Sequence, residues 1–145
     1  DKNGNFIMKF GTYGSSDGEF LNPTDVAIDS LGNILVVDSF NNRVQKFDKN
    51  GNFIMKFGKS GSGDGEFASP LELALDSSGN ILVVDTKNNR VQVFNSDGIY
   101  ISQFGNQGSI SERLQDPVGI AIDSDGNVYV PDGRDADVHV FSLIK

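Results

Sequence analysis

The stretch DVAIDSLGNILVVDSFNNRVQKF at residues 25–47 returns as ELALDSSGNILVVDTKNNRVQVF at residues 72–94. A weaker third copy runs from residue 119 to residue 141. The offset between copies is 47 residues, and Pro23, Pro70 and Pro117 keep the same spacing. A fixed period of this length indicates one supersecondary unit copied along the chain. Three such units account for almost all of the 145 residues.

Each unit contains four short segments with the composition of β-strands, because β-branched and aromatic residues dominate them and glycine interrupts between them. Turns such as SLGN, SSGN and SDGN favour tight hairpins, so antiparallel meanders are expected. The apolar runs at residues 34–37 and 81–84 indicate strands that are covered on both faces. The predicted strands span residues 6–10, 25–29, 33–38, 43–47, 53–57, 72–76, 80–85, 90–94, 100–104, 119–123, 127–132 and 137–141.

Each of the first two units carries the same order of motifs. A Gly-rich loop, an aromatic residue, Pro, a short strand, GN, VVD, NNRVQ and Phe follow one another in residues 17–47 and in residues 61–94. This order resembles the NHL repeat. The resemblance implies an all-β fold, a β-propeller with three four-stranded blades per chain. The third copy departs from the pattern, since Asp137 replaces the arginine found at Arg43 and Arg90, and Pro131 is expected to interrupt its second strand.

The copies are circularly offset, and the resemblance implies one propeller unit over residues 1–145. Residues 1–20 hold the fourth strand and connector of a shared blade, residues 21–67 and 68–114 hold complete blades, and residues 115–145 hold the first three strands of the shared blade. Three blades are too few to close around an axis. We therefore predict a homodimer that closes a six-bladed ring by inter-chain strand exchange, with a head-to-tail filament as the open alternative. The residues predicted to carry the assembly are Phe6, Ile7, Met8, Phe10, Val138, Val140 and Phe141.

The balance of charges excludes some partners. The chain carries 12 basic and 20 acidic residues, and its net charge of -8 disfavours nucleic acid. No apolar run approaches the roughly 20 residues that span a bilayer, so a soluble protein with no membrane partner is expected. The absence of cysteine leaves the compartment open, secretion included.

Two recurring sets of polar residues are candidate sites. Asp38 with Arg43 and Asp85 with Arg90 are interpreted as structural pairs that brace a turn, in preference to an anion clamp, because a feature repeated in every blade shares a structural role. The carboxylates at the end of each first strand either support the next hairpin or converge on a hard cation such as calcium at the ring axis. The weak metal candidates are Asp29, Asp76 and Asp123. The single histidine, His139, lacks the partners that a zinc or catalytic site needs.

These observations predict a non-enzymatic propeller scaffold with no catalytic residues and no cofactor other than a possible calcium ion. Its loop faces are expected to bind a protein, peptide or glycan. The alternative is half of a propeller enzyme, similar to a lyase or lactonase, with a divalent cation on the ring axis. Because propellers support both binding and catalysis, the fold alone does not choose between them.

Overall fold

The chain folds into three small antiparallel sheets and one short parallel strand pair, as a computed structural model shows for residues 2–143. Three one-turn 3-10 helices, Ser39–Asn41, Thr86–Asn88 and Ile110–Glu112, lie between strands. No helix in this described range is long and apolar enough to cross a membrane. The described strands are β1 (Thr12–Tyr13), β2 (Glu19–Phe20), β3 (Pro23–Ile28), β4 (Ile34–Asp38), β5 (Arg43–Phe47), β6 (Phe53–Phe57), β7 (Pro70–Leu75), β8 (Ile81–Asp85), β9 (Arg90–Phe94), β10 (Tyr100–Phe104), β11 (Ala121–Ile122), β12 (Asn127–Asp132) and β13 (Asp137–Ser142).

The main strands form three meanders in which chain order equals spatial order. The first sheet is β3-β4-β5-β6, the second is β7-β8-β9-β10, and the third is β11-β12-β13. The first strand of each sheet faces that of the next, since β7 lies against both β3 and β11. The predicted all-β fold of four-stranded antiparallel sheets is confirmed for the first two units.

Apolar side chains fill the two seams between neighbouring sheets. Leu35, Val37 and Val44 of the first sheet pack with Ile81 and Val83 of the second. On its other face, the second sheet packs against the third. The residues of that second cluster are Leu82, Val84, Val91, Val93, Leu114, Val128 and Val130. The second sheet is therefore covered on both faces, which explains why its strands are apolar at successive positions.

Pro131 does not interrupt its strand, contrary to the sequence prediction. β12 runs through it from Asn127 to Asp132, and Pro131 pairs with Val138 of β13. The carbonyl of Pro131 accepts a hydrogen bond of 3.1 Å from the amide of Val118. A proline removes one donor from a ladder but leaves its acceptor in place, so β12, the central strand of its sheet, continues past Pro131.

The predicted strand at residues 6–10 is not formed within the described part of a single chain. None of the described strands includes this segment, and Phe6 and Ile7 are 80% and 83% exposed. The third sheet correspondingly has three strands, with β13 at its margin. A strand needs a neighbour to hydrogen-bond with, and no sheet of the described chain supplies one to this segment. The first strand of the third sheet is also shorter than predicted, at Ala121–Ile122.

Candidate functional site

A buried aspartate–arginine pair braces the connector that leads into each of the first two sheets. Asp38 is the last residue of β4, and its Oδ2 atom lies 3.0 Å from the Nε atom of Arg43. Asp85 and Arg90 repeat the contact at 2.8 Å in the second sheet, and all four side chains are buried. The amides of Leu21 and Ala68 donate to these aspartates. Each pair therefore ties a turn to the loop that precedes the sheet.

Most of the remaining donors of each guanidinium are also taken up by acceptors of the protein itself. Arg43 donates through Nη1 and Nη2 to the carbonyls of Ser15, Ser16 and Glu19 at 2.8–2.9 Å. Arg90 donates in the same way to the carbonyls of Gly63 and Glu66 and to the side chain of Gln103. An anion clamp needs free donors, so this arrangement favours bracing.

The aspartates at the ends of the first strands accept hydrogen bonds from their own hairpins. Asp29 accepts from the amides of Leu31 and Asn33 and from the Asn33 side chain, each at 2.9 Å. Asp76 and Asp123 repeat the same set of three bonds at 2.8–2.9 Å. Within residues 2–143, no group of three or more His, Cys, Asp or Glu side chains is arranged to hold a metal ion.

Asp29 differs from its two counterparts because it also meets an ammonium group. The Nζ atom of Lys46 lies 3.0 Å from its Oδ2 atom. Burial alone raises the pKa of Asp29, but the hydrogen bonds from Asn33, Lys46 and Leu31 outweigh it and lower the pKa from 3.8 to about 2. This carboxylate is thus held in its charged form by local contacts.

His139 lies on the margin strand β13, away from the aspartates of the hairpins. Its Nε2 atom is 3.1 Å from the Oδ1 atom of Asp137, and its ring stacks on that of Phe141. Beside it runs a surface groove of about 480 Å³. The groove is lined by Gln107, Gly108, Ser111, Glu112, His139, Val140 and Phe141.

Phenylalanine rings mark each seam between consecutive sheets. The ring centroid of Phe57, at the end of β6, lies 4.7 Å from that of Phe94 in the second sheet. The ring centroids of Phe104, at the end of β10, and Phe141 in the third sheet are 4.9 Å apart. Those of Phe10 and Phe47 in the first sheet are 5.0 Å apart, which is the equivalent contact one repeat earlier. Phe10 therefore occupies the place that a fourth strand of a preceding sheet would give it.

The outward face of the third sheet exposes positions that are buried elsewhere in the repeat. Val138 is 57% exposed, whereas its counterparts Val44 and Val91 are fully buried. Tyr129 and Val140, which pair across β12 and β13, are exposed on the same face. At the other end of the described chain, the first sheet also has an exposed apolar face. Val26 is 58% exposed there, whereas its counterpart in the second sheet, Leu73, is 5% exposed. Both ends of the described chain thus expose apolar positions that are buried between neighbouring sheets elsewhere in the repeat.

Sequence reasoning missed several residues that hold the connectors. Gln45 and Gln92 are buried, and each bonds to two backbone groups of the loop before its sheet. Asn42 and Asn89 adopt positive φ and accept from the amides of Ser69 and Asp116. Their 47-residue recurrence in NNRVQ was a visible signal, but their partners lie about 27 residues away and are not readable from the motif.

Comparisons with known proteins agree with this architecture. A family model described as a 6-bladed beta-propeller matches residues 30–82. Among curated relatives, the protein lin-41 of Caenorhabditis elegans is 48% identical over 42 residues, which are 29% of this chain and 4% of that protein. The protein brain tumor of Drosophila melanogaster is 40% identical over 43 residues, which are 30% of this chain and 4% of that protein. These relatives are NHL-repeat proteins.

Solved structures show the same fold at low sequence identity. Virginiamycin B lyase from Staphylococcus aureus superposes with a TM-score of 0.59 at 14% identity, covering 85% of this chain and 42% of that one. A protein of unknown function from Bacteroides caccae gives a TM-score of 0.63 at 17% identity, over 81% of this chain and 44% of that one. The chain therefore spans about two fifths of these structures and a far smaller share of the curated relatives.

Proposed function

Because this chain consists of NHL-type β-propeller blades, we propose that it is a non-enzymatic scaffold that closes a six-bladed ring as a homodimer and binds a protein, peptide or glycan. The observation that carries the proposal is the exposed outward face of the third sheet. Its positions at Tyr129, Val138 and Val140 correspond to residues that are buried in both other sheets. Exposed apolar positions of this kind mark an interaction surface.

The other end of the chain supplies a matching surface. Val26 and Ile28 are exposed on the face of the first sheet that would meet a preceding blade. If the third sheet of one copy packs on the first sheet of another, both sets are buried, and twofold symmetry repeats the contact. Two copies of three sheets make six blades, which is the number in the matching family description.

The connectors at residues 11–22, 58–69 and 105–116 offer the surface for a ligand. The first two are held at their base by the buried arginine and glutamine side chains of the following sheet. The third has a different sequence and contains the 3-10 helix Ile110–Glu112 with its capping box. A rigid base with loops of differing sequence is the usual arrangement of a binding face.

Native mass spectrometry and light scattering at micromolar concentration test the assembly. We expect a mass of about twice the 15.6 kDa of one chain. A mass of one chain, or a series of growing oligomers, would contradict the closed dimer. A matched pair of variants localises the contact: Val26→Lys, at the exposed face, should give monomers, whereas Ile99→Lys, in an exposed turn of the second sheet, should leave the mass unchanged.

Addition of calcium or zinc tests the alternative, a propeller enzyme with a divalent cation on the ring axis. A resident divalent cation stabilises the folded state according to its affinity and raises the melting temperature. We expect no shift with millimolar calcium or micromolar zinc. A rise of several degrees that disappears in Asp76→Asn would instead support the propeller enzyme with an axial cation.

A further inference from the structure

The third repeat differs from the first two at the margin strand β13, where a second copy would dock. Asp137 stands in place of Arg43 and Arg90, and His139 stands in place of Gln45 and Gln92. In the first two sheets, Gln45 and Gln92 pair with the fourth strand, β6 or β10, and the Arg90 side chain reaches Gln103 of β10. A strand that pairs with β13 would therefore meet a carboxylate and an imidazole at positions where the first two sheets carry a guanidinium and an amide.

The repeats define where a fourth strand would lie on β13. Val44 pairs with Phe57 and Gln45 with Lys56 in the first sheet. Val91 pairs with Phe104 and Gln92 with Gln103 in the second. The segment 6–10 precedes residues 53–57 by 47 positions and has the same five residues, FIMKF. Transferred to β13, this register sets Phe10 opposite Val138, Lys9 opposite His139 and Met8 opposite Val140.

In this register, the residues that differ on β13 bring a carboxylate near the ammonium group of the pairing segment. In the second sheet, Nη1 of Arg90 donates to the side chain of Gln103 on the neighbouring strand at 2.7 Å. The residue that corresponds to Gln103 in the opening segment is Lys9. In the first sheet the lysine at the same position, Lys56, occurs together with Arg43 and pairs with Asp17 of the connector at 2.6 Å. On β13, Asp137, which lies 3.1 Å from His139, would itself offer Lys9 a carboxylate. Glu112 lines the groove beside β13 and adds a second negative charge.

We infer that β13 binds the segment Phe6–Phe10 of a second copy as an antiparallel strand, in the register that sets Lys9 opposite His139 and beside Asp137. The inference rests on the proposed homodimer and adds its strand register and its charged contact. Asp137 then selects the opening segment of this chain over an uncharged strand. Phe10 stays anchored on Phe47 of its own chain, so one short segment joins both molecules.

Cysteine cross-linking tests the register, and the chain suits it because its sequence contains no cysteine. Residues directly opposite in an antiparallel pair have Cα atoms about 4.5–5.5 Å apart, which is within the range of a disulfide. Lys9→Cys combined with His139→Cys should form an inter-chain disulfide under mild oxidation. Met8→Cys combined with His139→Cys is the control, since its two side chains point to opposite faces and should not cross-link.

A charge exchange tests the role of Asp137. Asp137→Lys should raise the dimer dissociation constant about tenfold, as should Lys9→Asp, and the combined exchange should recover most of the loss. Asp135→Lys makes the same change of charge at an exposed neighbour outside the strand and should have a smaller effect. Equal effects of the exchange and of this control would overturn the contact.

The outcomes separate this inference from the homodimer itself. A dimer that cross-links through positions 9 and 139 supports both. A dimer that cross-links equally through the control pair, or through neither pair, overturns the register and leaves the homodimer standing. A monomeric wild-type chain at micromolar concentration overturns the homodimer, and the register with it.

Discussion

The Nζ atom of Lys46 lies 3.0 Å from the Oδ2 atom of Asp29, and this ion pair sits at the seam between the first two sheets. The same ammonium donates at 3.4 Å to the carbonyl of Ser96, in the turn after β9 of the second sheet. At the next seam the corresponding residue is Val93, which packs in the apolar cluster. At this position of the repeat, one seam therefore carries an ion pair and the other an apolar side chain.

Acid unfolding should depend on Asp29. Its pKa is lowered from 3.8 to about 2, so its contribution to stability is complete above the unfolded pKa and is lost as the pH falls through the folded value. Asp29→Asn should reduce the loss of stability between about pH 4 and pH 2 by on the order of 1 kcal/mol, because solvent screening weakens a partly exposed group. Urea unfolding across this pH range measures it.

Asp125→Asn provides the control for that experiment, since it removes an exposed carboxylate from the equivalent hairpin of the third sheet. The control should keep the acid sensitivity of the wild type. Identical pH profiles for Asp29→Asn and the wild type would contradict the assigned role of the ion pair.

Removal of one partner from the buried pair Asp85–Arg90 should be costly. Both side chains are almost fully buried, and the Nε atom of Arg90 lies 2.8 Å from the Oδ2 atom of Asp85. Leaving a buried charge without its partner typically costs about 3–5 kcal/mol. Arg90→Leu should lower the free energy of unfolding by this amount in urea titrations. Lys87→Ala, which removes a solvent-exposed pair with Asp116, should cost less than about 1 kcal/mol. If the two variants lose similar amounts of unfolding free energy, burial of the Asp85–Arg90 pair does not make it more important than the exposed pair.

The two equivalent phenylalanines Phe10 and Phe57 should respond differently to truncation. Phe57 joins two sheets of one chain through Phe94, so Phe57→Ala should destabilise the fold by about 3 kcal/mol. Phe10→Ala should mainly weaken the proposed dimer, in which a second copy completes the strand that contains Phe10. Circular dichroism follows the fold, and light scattering follows the assembly. Loss of folded signal in Phe10→Ala at high protein concentration would argue against an intermolecular role.

Charges on the outward face of the third sheet should prevent assembly. Val140 is exposed at 56%, and burying an unpaired lysine there is unfavourable. Val140→Lys should give folded monomers by light scattering, whereas Leu31→Lys, at an exposed hairpin of the first sheet, should remain dimeric. If Val140→Lys keeps the wild-type mass, this face is not part of the interface.

Much of the architecture is readable from the sequence because it is local. The strands β5 and β9 have the bounds that were predicted from RVQKF and RVQVF, and the hairpins form where SxGN occurs, since adjacent residues determine a tight turn. The aspartates that follow the first strands accept hydrogen bonds within four residues of themselves, and this turn contact is one of the two interpretations that the sequence left open.

The tertiary structure alone decided which contacts join distant segments. Nothing in NNRVQ states that Arg43 meets the carbonyls of Ser15 and Glu19, or that Lys46 reaches Ser96, because these partners lie 24 to 50 residues apart. Val138 is exposed and Val91, at the equivalent position of the second sheet, is buried. This difference also depends on which sheets face each other. The repeated sequence determines the structure of each unit, whereas the burial of a residue depends on which sheets lie next to that unit. Equivalent positions in different sheets therefore have different surroundings.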